Sequence, residues 1–173
     1  MELMFGALGL YVLGVCCLLW PERWERGAHV LGNLLSAAAS FLVFIFAADS
    51  LLGWGILPPS ALAPVFAWGQ FSLQVDFWSG AFLALTGFSG TAVSIYALGY
   101  AAHYRGRRLR LMTGLWNLFI LSMVLVLLAG DGFTFLAAWE VMALSSFLLV
   151  YHENEKKATV QAAYQYMVMT HLG

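Results

Sequence analysis

One carboxylate carries the strongest chemical signal in this sequence. Glu140 interrupts an otherwise charge-free apolar run from Gly132 to His152. About eight residues into a helix, at 1.5 Å per residue, it would lie roughly 12 Å below one surface of a bilayer, near the midplane. Placing a charge at that depth costs roughly 3 kcal/mol unless protein or water meets it. The residues that share its helix face are Phe133, Leu136, Ala137, Ala143, Leu144 and Phe147, all apolar or small, so the same helix offers no cation. Burial among such groups favours the neutral acid, unless a positive partner on another helix restores the charge. A group that can hold or release a proton near neutral pH can relay one. The plainer reading is a glutamate that hydrogen-bonds a neighbouring helix and never titrates; the cost of placing it there favours the relay.

The four histidines divide by depth. His29, His103 and His152 fall near the ends of apolar runs that border basic residues, where an imidazole reaches water and anchors its helix. His152 is also placed to help load protons. His171 differs, lying some thirteen residues past the start of its run, roughly 20 Å into the membrane. At that depth it is a second candidate for the relay. A bis-histidine haem needs facing histidines at matching depth, and three near one surface with one deep argue against it. Cys16 and Cys17 are adjacent in an apolar run, which suits neither a disulfide framework nor a zinc site, and they read as small packing residues. Asp49, Asp76 and Asp131 fall at helix ends, where a solvated carboxylate is ordinary. No catalytic residue and no metal site is expected.

These residues must be positioned by membrane helices. Of the 173 residues 62% are apolar and 10% charged, against about 25% charged in soluble domains, and the mean hydropathy is +0.82. A soluble globular fold is excluded. The net charge of -1 leaves no footprint for nucleic acid. A spanning helix takes about 20 apolar residues. Helices are expected at about 3–21, 27–48, 77–104, 111–130 and 132–152, with a sixth beginning at 158–173: an all-α polytopic bundle forming a single membrane domain. The segment 49–76 contains Pro58, Pro59 and Pro64 and should form an extramembrane loop. Gln70 to Phe77 alternates polar and apolar, the period of a strand, and its hairpin partner is sought in Val65 to Trp68.

All eight basic residues fall in alternate loops: Arg23 and Arg26, then Arg105, Arg107, Arg108 and Arg110, then Lys156 and Lys157. The positive-inside rule puts loops 22–26, 105–110 and 153–157 in the cytoplasm and the N-terminus outside. Anionic lipid or a partner subunit could meet the Arg cluster, but that rule already explains it. Trp20, Trp24, Trp68 and Trp78 would anchor at the interfaces. The first run lacks a basic flank and a small-residue cleavage site, so it is kept as a helix. Ser36 and Ser40, Gly87 and Thr91, and Gly90 and Ser94 have the spacing of close helix packing in lipid.

The run from Phe133 through Trp139, Glu140, Ser145 and Ser146 to Leu149 resembles the fifth helix of the antiporter-like subunits of respiratory complex I. The same family includes subunits of multisubunit sodium/proton antiporters and of group 4 hydrogenases and formate hydrogenlyase. Asp76 to Gly80, with Asp-x-x-Ser, is similar to the opening of the family's third span, which here exits through Ser94 to Tyr100. Tyr166 to Gly173 looks most like the hydrogenase branch. The resemblance implies a membrane subunit of a redox-driven proton-translocating complex, non-catalytic itself, in a prokaryotic cell membrane. Other membrane subunits would surround it, and attached redox subunits would carry the cofactors, none being in this chain. It implies that Glu140 works with lysines on later helices, so that the chain corresponds to the N-terminal portion of such a subunit. Two alternatives stand beside it, a subunit of a sodium/proton antiporter and a structural or assembly subunit without a transport role.

Overall fold

The computed structural model describes residues 2–53, 57–66, 69–100, 108–152 and 157–172. His103, Trp68, Lys156, Arg105 and Arg107 lie outside the described residues. The elements are α1 (Glu2–Val15), α2 (Glu25–Leu51), β1 (Leu57–Phe66), β2 (Gly69–Val75), α3 (Phe77–Tyr100), α4 (Leu109–Leu128), α5 (Gly132–Tyr151) and α6 (Lys157–Leu172). Five segments are long and apolar enough to cross a membrane: Glu2–Leu19, Glu22–Leu51, Phe77–Tyr100, Leu109–Leu128 and Gly132–Tyr151. The chain is an integral membrane protein, an all-α bundle with one small hairpin.

The helices alternate in direction. The α1–α2, α3–α4 and α5–α6 junctions therefore share one end, here the basic end, and the hairpin and the α4–α5 turn share the other, the hairpin end. Each end is tied by polar contacts. At the basic end Arg110 on α4 donates to the Trp20 carbonyl and pairs with Glu22 at 3.0 Å. At the hairpin end Ser72 on β2 binds Asp131 ahead of α5.

Three elements depart from the sequence reading. The first span leaves the α-helix at Val15 and finishes as a 3-10 turn, Cys16–Leu19. Cys17 is buried there against Gly32, whereas Cys16 is exposed, so only one of the pair packs. Helix α2 continues past Asp49 to Leu51 and stops at Gly53, whose φ of +81° is open to glycine but strained for other residues. The segment expected to be loop folds largely as strand. β1 begins at Leu57 instead of Val65, pairs antiparallel with β2, and loses regular register near Pro58, Pro59 and Pro64. Prolines cannot donate to a ladder, but β1 has only β2 as a neighbour among the described strands, and an edge strand tolerates them.

The interior is polar toward the basic end and apolar toward the hairpin end. His29, Asn33, Ser36 and Ser40 form one buried stripe on α2. Ser36 accepts from Ser94 at 2.9 Å, Ser94 accepts from the Trp116 indole at 3.1 Å, and Ser40 meets the Tyr11 hydroxyl at 2.7 Å. Val43, Ala47, Leu83 and Val124, all with no exposed surface, fill the other half. The small-residue spacing reads through to contact: Gly87 and Gly90 on α3 lie directly against Phe44 and Ser40 of α2. Such close approach replaces the hydrophobic drive that is missing between helices in lipid.

His29 corrects the anchoring expectation. It is 2% exposed and sits between three helices, with Nδ1 2.6 Å from the Thr113 hydroxyl and Nε2 3.2 Å from the Ala97 carbonyl. A carbonyl only accepts, so Nε2 carries the hydrogen and Nδ1 accepts from Thr113. The ring therefore joins α2 to α3 and α4 instead of reaching water. Asn117 donates to the Gly32 carbonyl at 3.2 Å, while its Oδ1 has no hydrogen-bond partner among the described residues and abuts Gly14.

Two aspartates hold helix starts. Asp76 accepts from the Ser79 amide at 2.6 Å ahead of α3, which holds its carboxyl below the usual range. Asp131 accepts from the Ser72 hydroxyl at 2.6 Å and the Thr134 amide at 2.9 Å, and these bonds hold it well below the usual carboxylate range. A depressed carboxyl contributes stability above its unfolded value of about 3.9 and loses it as the pH falls through the lower folded value. The clasp should therefore survive mild acid. Asp131→Ala should speed hydrogen exchange at the Ser72 and Thr134 amides with the helices otherwise protected; unchanged exchange at both would show that the carboxylate does not fasten the hairpin.

Candidate functional site

Glu140 and His171 meet. Glu140 projects from the ninth position of α5 and His171 from the penultimate position of α6, with Glu140 Oε1 and His171 Nε2 3.0 Å apart. The partner absent from the Glu140 helix is thus an imidazole on the antiparallel neighbour. The other ring nitrogen, Nδ1, lies 2.8 Å from the Met167 carbonyl one turn back. That carbonyl can only accept, so Nδ1 carries a hydrogen in every protonation state that keeps this bond. Nε2 is then the atom that gains or loses a proton, and it is the atom facing the carboxylate. One proton between the two groups can be held as carboxylate with imidazolium or as carboxylic acid with neutral imidazole. Either arrangement keeps both hydrogen bonds without moving a heavy atom.

The burial expected for Glu140 is not provided by these helices. Its side chain is 54% exposed and that of His171 37%. The pair lies on the outer face of α5 and α6, beside exposed Leu136, Leu144 and Met169. α5 packs against α4 and α6 packs on α5, with Ala138, Ala143 and Ala163 buried, and the Glu140–His171 pair is left on the open side.

His152 closes the basic end of α5. Twelve positions from Glu140, it is about 18 Å away along the helix, and the structure does not bring it to the pair. Ser146 and Tyr166, given no role from the sequence, form a hydrogen bond of 2.7 Å across the same α5–α6 seam. Their spacing was a usable signal, because six residues after Glu140 and five before His171 are matching levels on antiparallel helices. Among the described residues no group of three His, Cys, Asp or Glu side chains is placed to hold a metal ion.

No family model matches the chain. Hydrogenase-4 component B of Escherichia coli is 27% identical over 173 residues, covering 100% of this chain and 25% of that protein. NADH-quinone oxidoreductase subunit L of Mycobacterium tuberculosis is 30% identical over 174 residues, 96% of this chain and 27% of that protein. An uncharacterized protein of Mycobacterium tuberculosis is 39% identical over 101 residues, 58% of this chain and 16% of its own length. The chain thus spans about a quarter, or less, of the length of these relatives. Its homologues over nearly its whole length are antiporter-like subunits, as the Trp139-Glu140 run implied.

Proposed function

We propose that this chain is part of a membrane subunit of a redox-driven proton-translocating complex, in which Glu140 and His171 form one station of an intramembrane proton path. The observation that carries this reading is the 3.0 Å contact of a carboxylate and an imidazole on the facing helices α5 and α6. Their joint proton can shift without rearrangement, and their remaining surface is open for further groups. The names of the relatives, a hydrogenase component and a quinone oxidoreductase subunit, support a redox drive.

On this reading the flavin, iron-sulfur or nickel centres sit in attached subunits, and this chain carries none. The basic end faces the cytoplasm by the positive-inside rule, with the N-terminus and hairpin outside. His152 then stands at the cytoplasmic mouth, where it helps load protons. Other membrane subunits or further helices cover the exposed faces of α5 and α6 and bring the cationic groups that complete the path.

The test is purification of the full-length native protein in mild detergent, identification of its companions by mass spectrometry, and reconstitution in liposomes holding a pH dye. Recovery with flavin or iron-sulfur subunits and acidification driven by the reductant supports the proposal. Recovery with membrane subunits alone, and proton flux that follows an imposed sodium gradient, replaces it with a sodium/proton antiporter.

A further inference from the structure

The α5–α6 seam carries a second polar rung besides Glu140 and His171. Ser146 Oγ and Tyr166 Oη are 2.7 Å apart, and by helix rise this rung lies about 8 Å from the pair toward the basic end. Ser146 donates its hydrogen to the Ala143 carbonyl at 2.8 Å. It must then accept from Tyr166, whose oxygen still has lone pairs with which to accept, on a residue that is 38% exposed. The seam has polar groups at successive levels: His152 at the mouth of α5, then Tyr166 with Ser146, then Thr170 Oγ1 at 3.4 Å from His171 Nδ1, then Glu140. Helix pairing alone would account for one hydroxyl contact, since side-chain hydrogen bonds commonly join helices in lipid. It does not account for an open acceptor placed between the solvent-facing mouth and the carboxylate.

We infer that the Ser146–Tyr166 hydroxyl pair is the relay station through which protons from the basic end reach Glu140. This rests on the relay reading of Glu140 and His171. A water-borne proton binds a lone pair of the Tyr166 oxygen while the Tyr166 hydrogen passes to Ser146. The Ser146 hydroxyl turns from Ala143 and gives its own hydrogen to water in the seam, which protonates the Glu140 carboxylate. Each hydroxyl oxygen gains one O–H bond as it loses one, and the net change is a proton on Glu140. Rotation of both hydroxyls restores the starting state.

The experiment uses the full-length chain in its assembled complex, reconstituted in liposomes, with Tyr166→Phe, Ser146→Ala, Ser146→Thr and Glu140→Gln compared per assembled complex. Tyr166→Phe and Ser146→Ala should each slow proton uptake about tenfold. They should also raise the solvent isotope effect and make the rate fall more steeply as the pH on the uptake side rises, while Ser146→Thr stays near the parent. Arrested pumping in Glu140→Gln with parental rates in Tyr166→Phe and Ser146→Ala overturns the station and leaves the relay reading standing. Parental pumping in Glu140→Gln overturns both. A reduced amount of complex with parental turnover and isotope effect shows that the rung only packs the helices, and overturns the station as well.

Discussion

Glu140→Gln should leave the complex assembled and lower its proton translocation by about a hundredfold or more, the loss expected when a positioned proton carrier is removed. Glutamine keeps the volume and can still hydrogen-bond His171 across the 3.0 Å gap, so packing of α5 on α6 is preserved. What it lacks is any state that carries the proton. His171→Gln tests the other half of the pair: it keeps an amide near the carboxylate but removes the titrating nitrogen, and should slow pumping less, because the Glu140 carboxylate that carries the proton remains. Proton flux and electron transfer should be measured together in liposomes. Parental flux in the glutamine variant would end the relay reading, whatever happens to electron transfer.

Gly87→Ala should be the most destabilising small change in the helix core. A Cβ there would lie 2.6 Å from the Phe44 amide nitrogen and 2.8 Å from the Ser40 carbonyl oxygen. Both are backbone atoms, so relief requires α2 and α3 to separate along their contact, at a cost of about 1–3 kcal/mol. The separation would also stretch the Ser36–Ser94 hydrogen bond, two turns away on the same interface. Gly99→Ala on the same helix is the control, since a Cβ there meets nothing within 4 Å and alanine favours the helix by up to about 1 kcal/mol. Detergent-induced unfolding midpoints should fall for the first and hold or rise for the second. Equal midpoints would mean that the two helices are not held at that distance.

Membrane class and span positions were legible from the charges alone, because lipid makes every charge costly and so confines them to the ends of helices. The strand at β2 was legible for a similar reason: strict alternation from Gln70 onward puts one apolar face inward. Glu140 stood out because its position could not be explained by solvation. The azimuth of each helix was not legible. Apolar residues surround nearly every face of α5, as they do for any helix among lipid and protein, so periodicity could not say which face meets α6. Only the packing of α6 on α5 brought Glu140 to His171, and only the crossing of α2, α3 and α4 put His29 out of reach of water. β1 was hidden by its prolines, whose effect depends on whether a strand has one neighbour or two. The sequence by itself determined what each segment is and how deep its polar groups lie. The tertiary structure decided which of those groups touch, because contact depends on helix rotation and separation, which are set by the side chains of the neighbouring helix.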